Sequence, residues 1–103
     1  MQRTLKKDLK LKSGETISKG TLVNISFSDY LVVLETESGR TIRIKASGAY
    51  RYLRGFDKPP TMPELERMLN DAICETVTGE TQIEPDGYGL DGSPAWPIAL
   101  GII

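Results

Sequence analysis

The stretch from Leu22 to Phe27 constrains the fold most. Val23, Ile25 and Phe27 alternate there with Asn24 and Ser26, and only an extended strand places every second residue on one face. Residues 4 to 45 read as further strands around it. Leu5, Leu9 and Leu11 stand among lysines, Ser13-Gly14-Glu15 reads as a turn, and Lys19-Gly20-Thr21 opens the central strand. Tyr30 to Glu35 is a denser apolar run. Thr36-Glu37-Ser38-Gly39 joins it to Arg40–Lys45, whose Ile42 and Ile44 face in while Thr41, Arg43 and Lys45 face out. That is a hairpin with one basic face. Short strands with nothing helical between them predict an α+β fold built on a small SH3-like antiparallel β-barrel or curled sheet.

The pattern changes after Lys45. Tyr50 and Leu53 recur at helical spacing and Gly55 stands where a short helix would stop. Asp57-Lys58-Pro59-Pro60 is a stiff connector, since each proline fixes its own backbone and biases the preceding residue away from helix. Thr61-Met62-Pro63-Glu64 then has the T-x-x-E spacing of a capping box. The helix it starts carries Met62, Leu65, Met68, Leu69 and Ile73 as an apolar stripe, expected to pack on the sheet. Thr78-Gly79-Glu80 reads as a second hairpin tip, and Glu84 to Gly92 holds too many turn formers for a regular element. Ser93-Pro94-Ala95-Trp96 predicts a last short helix with Ser93 as its cap, limited by Pro97 and ending in an irregular C-terminal strap.

A chain of 103 residues predicts one domain, 1–103, with a basic, mainly β part over 1–58 and an acidic helix and loop-rich part over 59–103. The two parts differ sharply in charge. Residues 1–58 hold 12 Lys/Arg against 6 Asp/Glu, a net of +6, whereas 59–103 hold Arg67 alone against 8 acids, a net of −7. Such asymmetry points to a polyanion surface on one side and an acidic segment on the other. No apolar run approaches the ~18 residues that span a bilayer, and Met1 to Lys12 is too charged for a signal peptide. No membrane partner and a cytoplasmic location are expected. The single Cys74 has no internal disulfide partner and fits a reducing compartment.

The chain has no histidine, which removes serine or cysteine nucleophiles paired with an imidazole and histidine-ligated metals. Neither a phosphate-binding G-x-x-x-x-G-K-[ST] loop nor a dinucleotide G-x-G-x-x-G fingerprint is present. Glu84, Asp86 and Asp91 lack the alternating spacing and closing glutamate of a calcium loop, so they read as a solvated turn. Cys74 reads as a buried, inert thiol. The expectation is a protein with no enzyme activity, no cofactor, no catalytic residues and no metal.

Lys6, Lys7, Lys10, Lys12, Lys19, Arg40, Arg43, Lys45, Arg51 and Arg54 could line one surface with Tyr50 and Tyr52 among them. Cations for phosphates and rings for bases are how small barrels hold nucleic acid. Lys10, Lys12, Arg40, Arg43, Lys45, Arg51 and Arg54 are the expected contacts to DNA or RNA. The competing reading is an ordinary solvated sheet face with tyrosines in the core. At the other end Trp96, Ile98, Leu100, Ile102 and Ile103 form an apolar terminus, which either straps the domain's own core or meets a second chain. The strap is the expected arrangement. In the alternative, Trp96, Ile98 and Leu100 bind a protein partner or make a homodimer.

The run Glu84-Pro85-Asp86-Gly87-Tyr88, followed by Asp91-Gly92-Ser93-Pro94-Ala95-Trp96 and Ala99-Leu100-Gly101-Ile102-Ile103, resembles the ending of a group of small bacteriophage and prophage proteins of unassigned function. Gly48-Ala49-Tyr50 to Pro60, the capped helix and Thr78-Gly79 are similar to the same group. Where this chain has Ala95 and Pro97, the group has serine and leucine. The resemblance implies phage origin and a place in the host cytoplasm, and it carries no catalytic or binding residues. The resulting expectation is a non-enzymatic phage accessory protein that binds nucleic acid through a basic β face. The alternative is a modulator of a host or phage enzyme, docking through the acidic segment and the C-terminus.

Overall fold

The computed structural model describes all 103 residues. Six strands form first: β1 (Gln2–Thr4), β2 (Leu9–Lys10), β3 (Thr16–Ile17), β4 (Leu22–Ser28), β5 (Leu31–Glu35) and β6 (Thr41–Lys45). β1, β4, β5 and β6 make one antiparallel sheet in the order β1-β4-β5-β6, and β2 with β3 makes a separate two-stranded ribbon. Register follows the alternation in the sequence. Ile25 lies opposite Leu34, which lies opposite Ile42, and Phe27, Val32 and Ile44 form the next row. All of these point to one side, where Val23, Ile25, Val32 and Leu34 are buried. Between β4 and β5 the chain turns in two residues, with Asp29 at a left-handed φ of 54° that an aspartate tolerates.

The sheet is curled and open, not a closed barrel. β1 and β6 are its two edges, and the ribbon joins neither of them. After β6 a 3-10 helix spans Ala46–Arg51, and the chain then returns to β1. Lys6 N donates to Tyr52 O at 2.8 Å and Arg54 N to Thr4 O at 3.2 Å, so residues 52–54 run antiparallel to 4–6 with Leu53 opposite Leu5. Leu5, Ala46, Ala49 and Leu53 thereby close the core under the sheet.

In the second half α1 (Met62–Asp71) starts on the expected capping box, with Thr61 accepting from Glu64 N and Glu64 from Thr61 N. It does not pack on the sheet. Met68 instead joins Cys74 and Ala95 in a small second cluster, with Ile83 against it. The ground a helix would cover is already occupied by the 3-10 helix, Phe56, Trp96 and Ala99, all of which belong to the main core. Residues 74–83 form the second hairpin, with Cys74 opposite Ile83 and Gly79 at its tip. Gly79 has a φ of +93°, and a Cβ there would come within 2.8 Å of an Asp57 carboxylate oxygen.

The last helix, α2 (Trp96–Ala99), begins later than the sequence suggests, and Ala95 rather than Ser93 is its cap residue. Ser93 is buried in a polar clasp, and Pro94 sits opposite Tyr88 while Ala95 sits opposite Thr76. Those extended pairings hold residues 93–95 out of helix. Trp96 is 1% exposed and packs into the same core as β4 and β5, so residues 96–100 strap the chain's own interior, whereas Ile102 and Ile103, expected in the same strap, are exposed. No helix is long and apolar enough to cross a membrane.

Candidate nucleic-acid interface

The pairing of residues 4–6 with 52–54 sets two lysines beside two tyrosines. Lys7 Nζ lies 4.7 Å from the centre of the Tyr52 ring, and Lys6 Nζ lies 6.0 Å from that of Tyr50. Arg51 also faces Tyr50, its guanidinium carbon 5.5 Å from the ring centre and its Nε donating to the phenol oxygen at 3.2 Å. Both tyrosines are half-buried, packed on the core along one side. The Arg51 hydrogen bond, then the charges of Arg51, Lys58 and Lys6, hold the Tyr50 phenol below its usual range against a smaller upward push from burial. The same bond raises Arg51. Three cations, Lys6, Lys7 and Arg51, therefore gather around two aromatic rings.

None of these three is paired with a carboxylate. The molecule has one ion pair, between Arg40 and Glu15. That pair corrects the role expected of Arg40, which is half-buried and ties the turn before β6 to the ribbon tip. The remaining expected contacts do not share a face. Lys10 and Lys12 are exposed on the ribbon, Arg43 and Lys45 on the outward face of edge strand β6, Arg51 in the 3-10 helix, and Arg54 beside Thr4. On the outward sheet face Arg43 and Lys45 are the only cations, opposite Val33 and Leu31 of β5, and Glu35 lies on the same face. Strand alternation alone does not single out Lys6 and Lys7 as contacts. The signal for them was present as Lys-Lys after buried Leu5 and Tyr-x-Tyr before buried Leu53.

The residues expected to meet a protein partner sit differently. Trp96 and Ile98 are buried, because the strap consumes them, so neither offers a docking side chain, whereas Leu100 is half-buried and lines a surface pocket with Tyr30 and Lys45. Below the connector a cleft of about 440 Å³ is lined by Lys58, Pro59, Pro60, Glu64 and Glu75 above Trp96. Its carboxylates disfavour an anion. In the acidic turn Asp91 is engaged by its neighbours: it accepts from Ser93 N at 2.9 Å, from the Ser93 hydroxyl and from the Thr78 hydroxyl at 2.7 Å. Burial pushes the Asp91 carboxyl up, and the bonds from Ser93 and Thr78 together outweigh it, leaving the group below the usual carboxylate range. No three Cys, Asp or Glu side chains converge as a metal site would need. Cys74 is buried, and burial raises its thiol.

No protein-family model matches this chain, and neither a curated protein nor a solved structure matches it.

Proposed function

We propose that this protein is a non-enzymatic accessory protein of the phage type that binds single-stranded DNA or RNA. The surface is the cluster Lys6, Lys7, Tyr50, Arg51 and Tyr52. The observation that carries the reading is the convergence of three unpaired cations on two half-buried tyrosines. Ammonium and guanidinium groups meet phosphates, while the tyrosine rings offer stacking surfaces to unpaired bases. An SH3-like plan is part of the same reading. The β2–β3 ribbon placed between the first two sheet strands supports it, as do the 3-10 helix after β6 and the return of residues 52–54 to β1. Phage origin rests on the Glu84–Tyr88 and Asp91–Trp96 runs.

A labelled single-stranded oligonucleotide tests the assignment. Lys7→Ala and Arg51→Ala should each weaken binding, whereas Lys12→Ala, on the ribbon, should leave it within error. Equal losses for all three would remove the cluster from the interface. A second reading, docking to a host or phage enzyme, is favoured by Leu90 and Tyr88, which stand open to solvent on the acidic loop. It predicts that a protein partner captured by the wild-type chain is lost on Leu90→Ser while oligonucleotide binding persists.

A further inference from the structure

Two apolar faces of this chain are uncovered. The first is on α1, where Leu65 and Met68 are buried but Met62 and Leu69 are 65% and 38% exposed. Residues three and four apart share a helix face, so Met62, Glu66 and Leu69 form a strip beside the buried one, continued by Ile73 just past the helix. The second is the outward face of the sheet. Leu31 and Val33 lie there on central β5, between Ser28 and Lys45 in one row and Ser26 and Arg43 in the next. Leu31 and Val33 are half-buried there, and Leu22 of β4, 40% exposed, lies on the same face beyond the row of Asn24, Glu35 and Thr41.

We propose that these faces cover one another between two copies of the chain. α1 of one copy lies across the outward face of β4, β5 and β6 of the other, Met62 and Leu69 on Leu31 and Val33, with Glu66 facing Arg43 and Lys45. The reciprocal contact closes a two-fold pair. Charge favours a second copy as the occupant: α1 carries Glu64, Glu66 and Asp71 against Arg67 alone, and the sheet face carries Arg43 and Lys45 against Glu35, so unlike signs meet in both contacts. Pairing α1 with α1 would instead oppose Glu66 to itself near Glu64 and Asp71. Helix on sheet is also the ordinary way to cover an open sheet face, which the chain's own α1 leaves uncovered. The contact uses none of the tyrosine-cluster residues, so it stands apart from nucleic-acid binding.

Sedimentation of the full-length chain over a rising concentration series tests the pair, with circular-dichroism melts of each variant to verify folding. The wild type should reach twice the 11.4 kDa chain mass. Glu66→Lys alone, or Arg43→Glu with Lys45→Glu, should weaken association at least tenfold, and all three changes in one chain should restore it, since the signs then match again. Leu69→Ser, at an exposed position, should weaken it too. A wild type of single-chain mass at every concentration overturns the proposal and leaves the α1 strip to a basic segment of another protein. A pair indifferent to these changes, or a triple variant that fails to recover, overturns it as well.

Discussion

Tyr50 reports the electrostatics of its surroundings, because its phenol receives the Arg51 hydrogen bond and lies in the field of Lys58 and Lys6. A spectrophotometric titration, differenced against Tyr50→Phe, should show this tyrosine ionising below an ordinary phenol, and Arg51→Ala should return it toward the ordinary midpoint. An unshifted midpoint in the wild type would mean that the cluster is not assembled in solution. Asp91 carries a pH-dependent part of stability. Its folded-state pKa is depressed, so the stability it contributes is present above the unfolded value and is lost as pH falls through the folded one. Asp91→Asn should therefore lower the melting temperature at neutral pH, and the gap to wild type should close in acid, below the usual carboxylate range. Trp96 is the largest fully buried side chain, and Trp96→Ala should cost about 3–5 kcal/mol, read as a drop in denaturation midpoint. In a domain whose whole stability is about 5–15 kcal/mol, that change tests the strap and not a docking site.

α1 shows which elements can be read from residue order and which cannot. Its start was legible, because Thr61 and Glu64 satisfy each other's amides through bonds that span only three residues. Its packing was not, because the apolar stripe states only that something is covered. The competitor for the sheet's underside, Trp96, lies far along the chain. Ser93 fails as a helix cap partly for a similar reason: the Thr78 hydroxyl, far back in the chain, claims its side chain together with the neighbouring Asp91 carboxylate. The helix end gives a further prediction. Ala72 closes α1 in the left-handed region at φ 54°, where a Cβ is unfavourable, and its side chain is exposed. Ala72→Gly should stabilise the chain by about 0.5–1 kcal/mol in a urea titration, the relief of strain exceeding the added freedom of the unfolded chain. A loss of stability would mean that the left-handed C-terminus is not formed.

Across the whole molecule, 43 Å in its longest dimension, the charge split along the sequence becomes a cluster around the tyrosines and not a basic strand face. Alternation placed Arg43 and Lys45 outward correctly. It could not show that Lys6 and Lys7 would meet Tyr50 and Tyr52, because that meeting depends on the chain returning to β1 after the 3-10 helix. Arg40 drops out for the same kind of reason, since Glu15 reaches it from the ribbon. The account as a whole depends on Lys6, Lys7 and Arg51 being free to displace the counterions of a polyanion. The direct measurement is the affinity for a single-stranded oligonucleotide over a salt series. Three phosphate contacts predict a slope of log K against log salt of about −2, cut to roughly a third when Lys6 and Lys7 are both changed to alanine. A slope near zero, or one the double variant leaves unchanged, would contradict it.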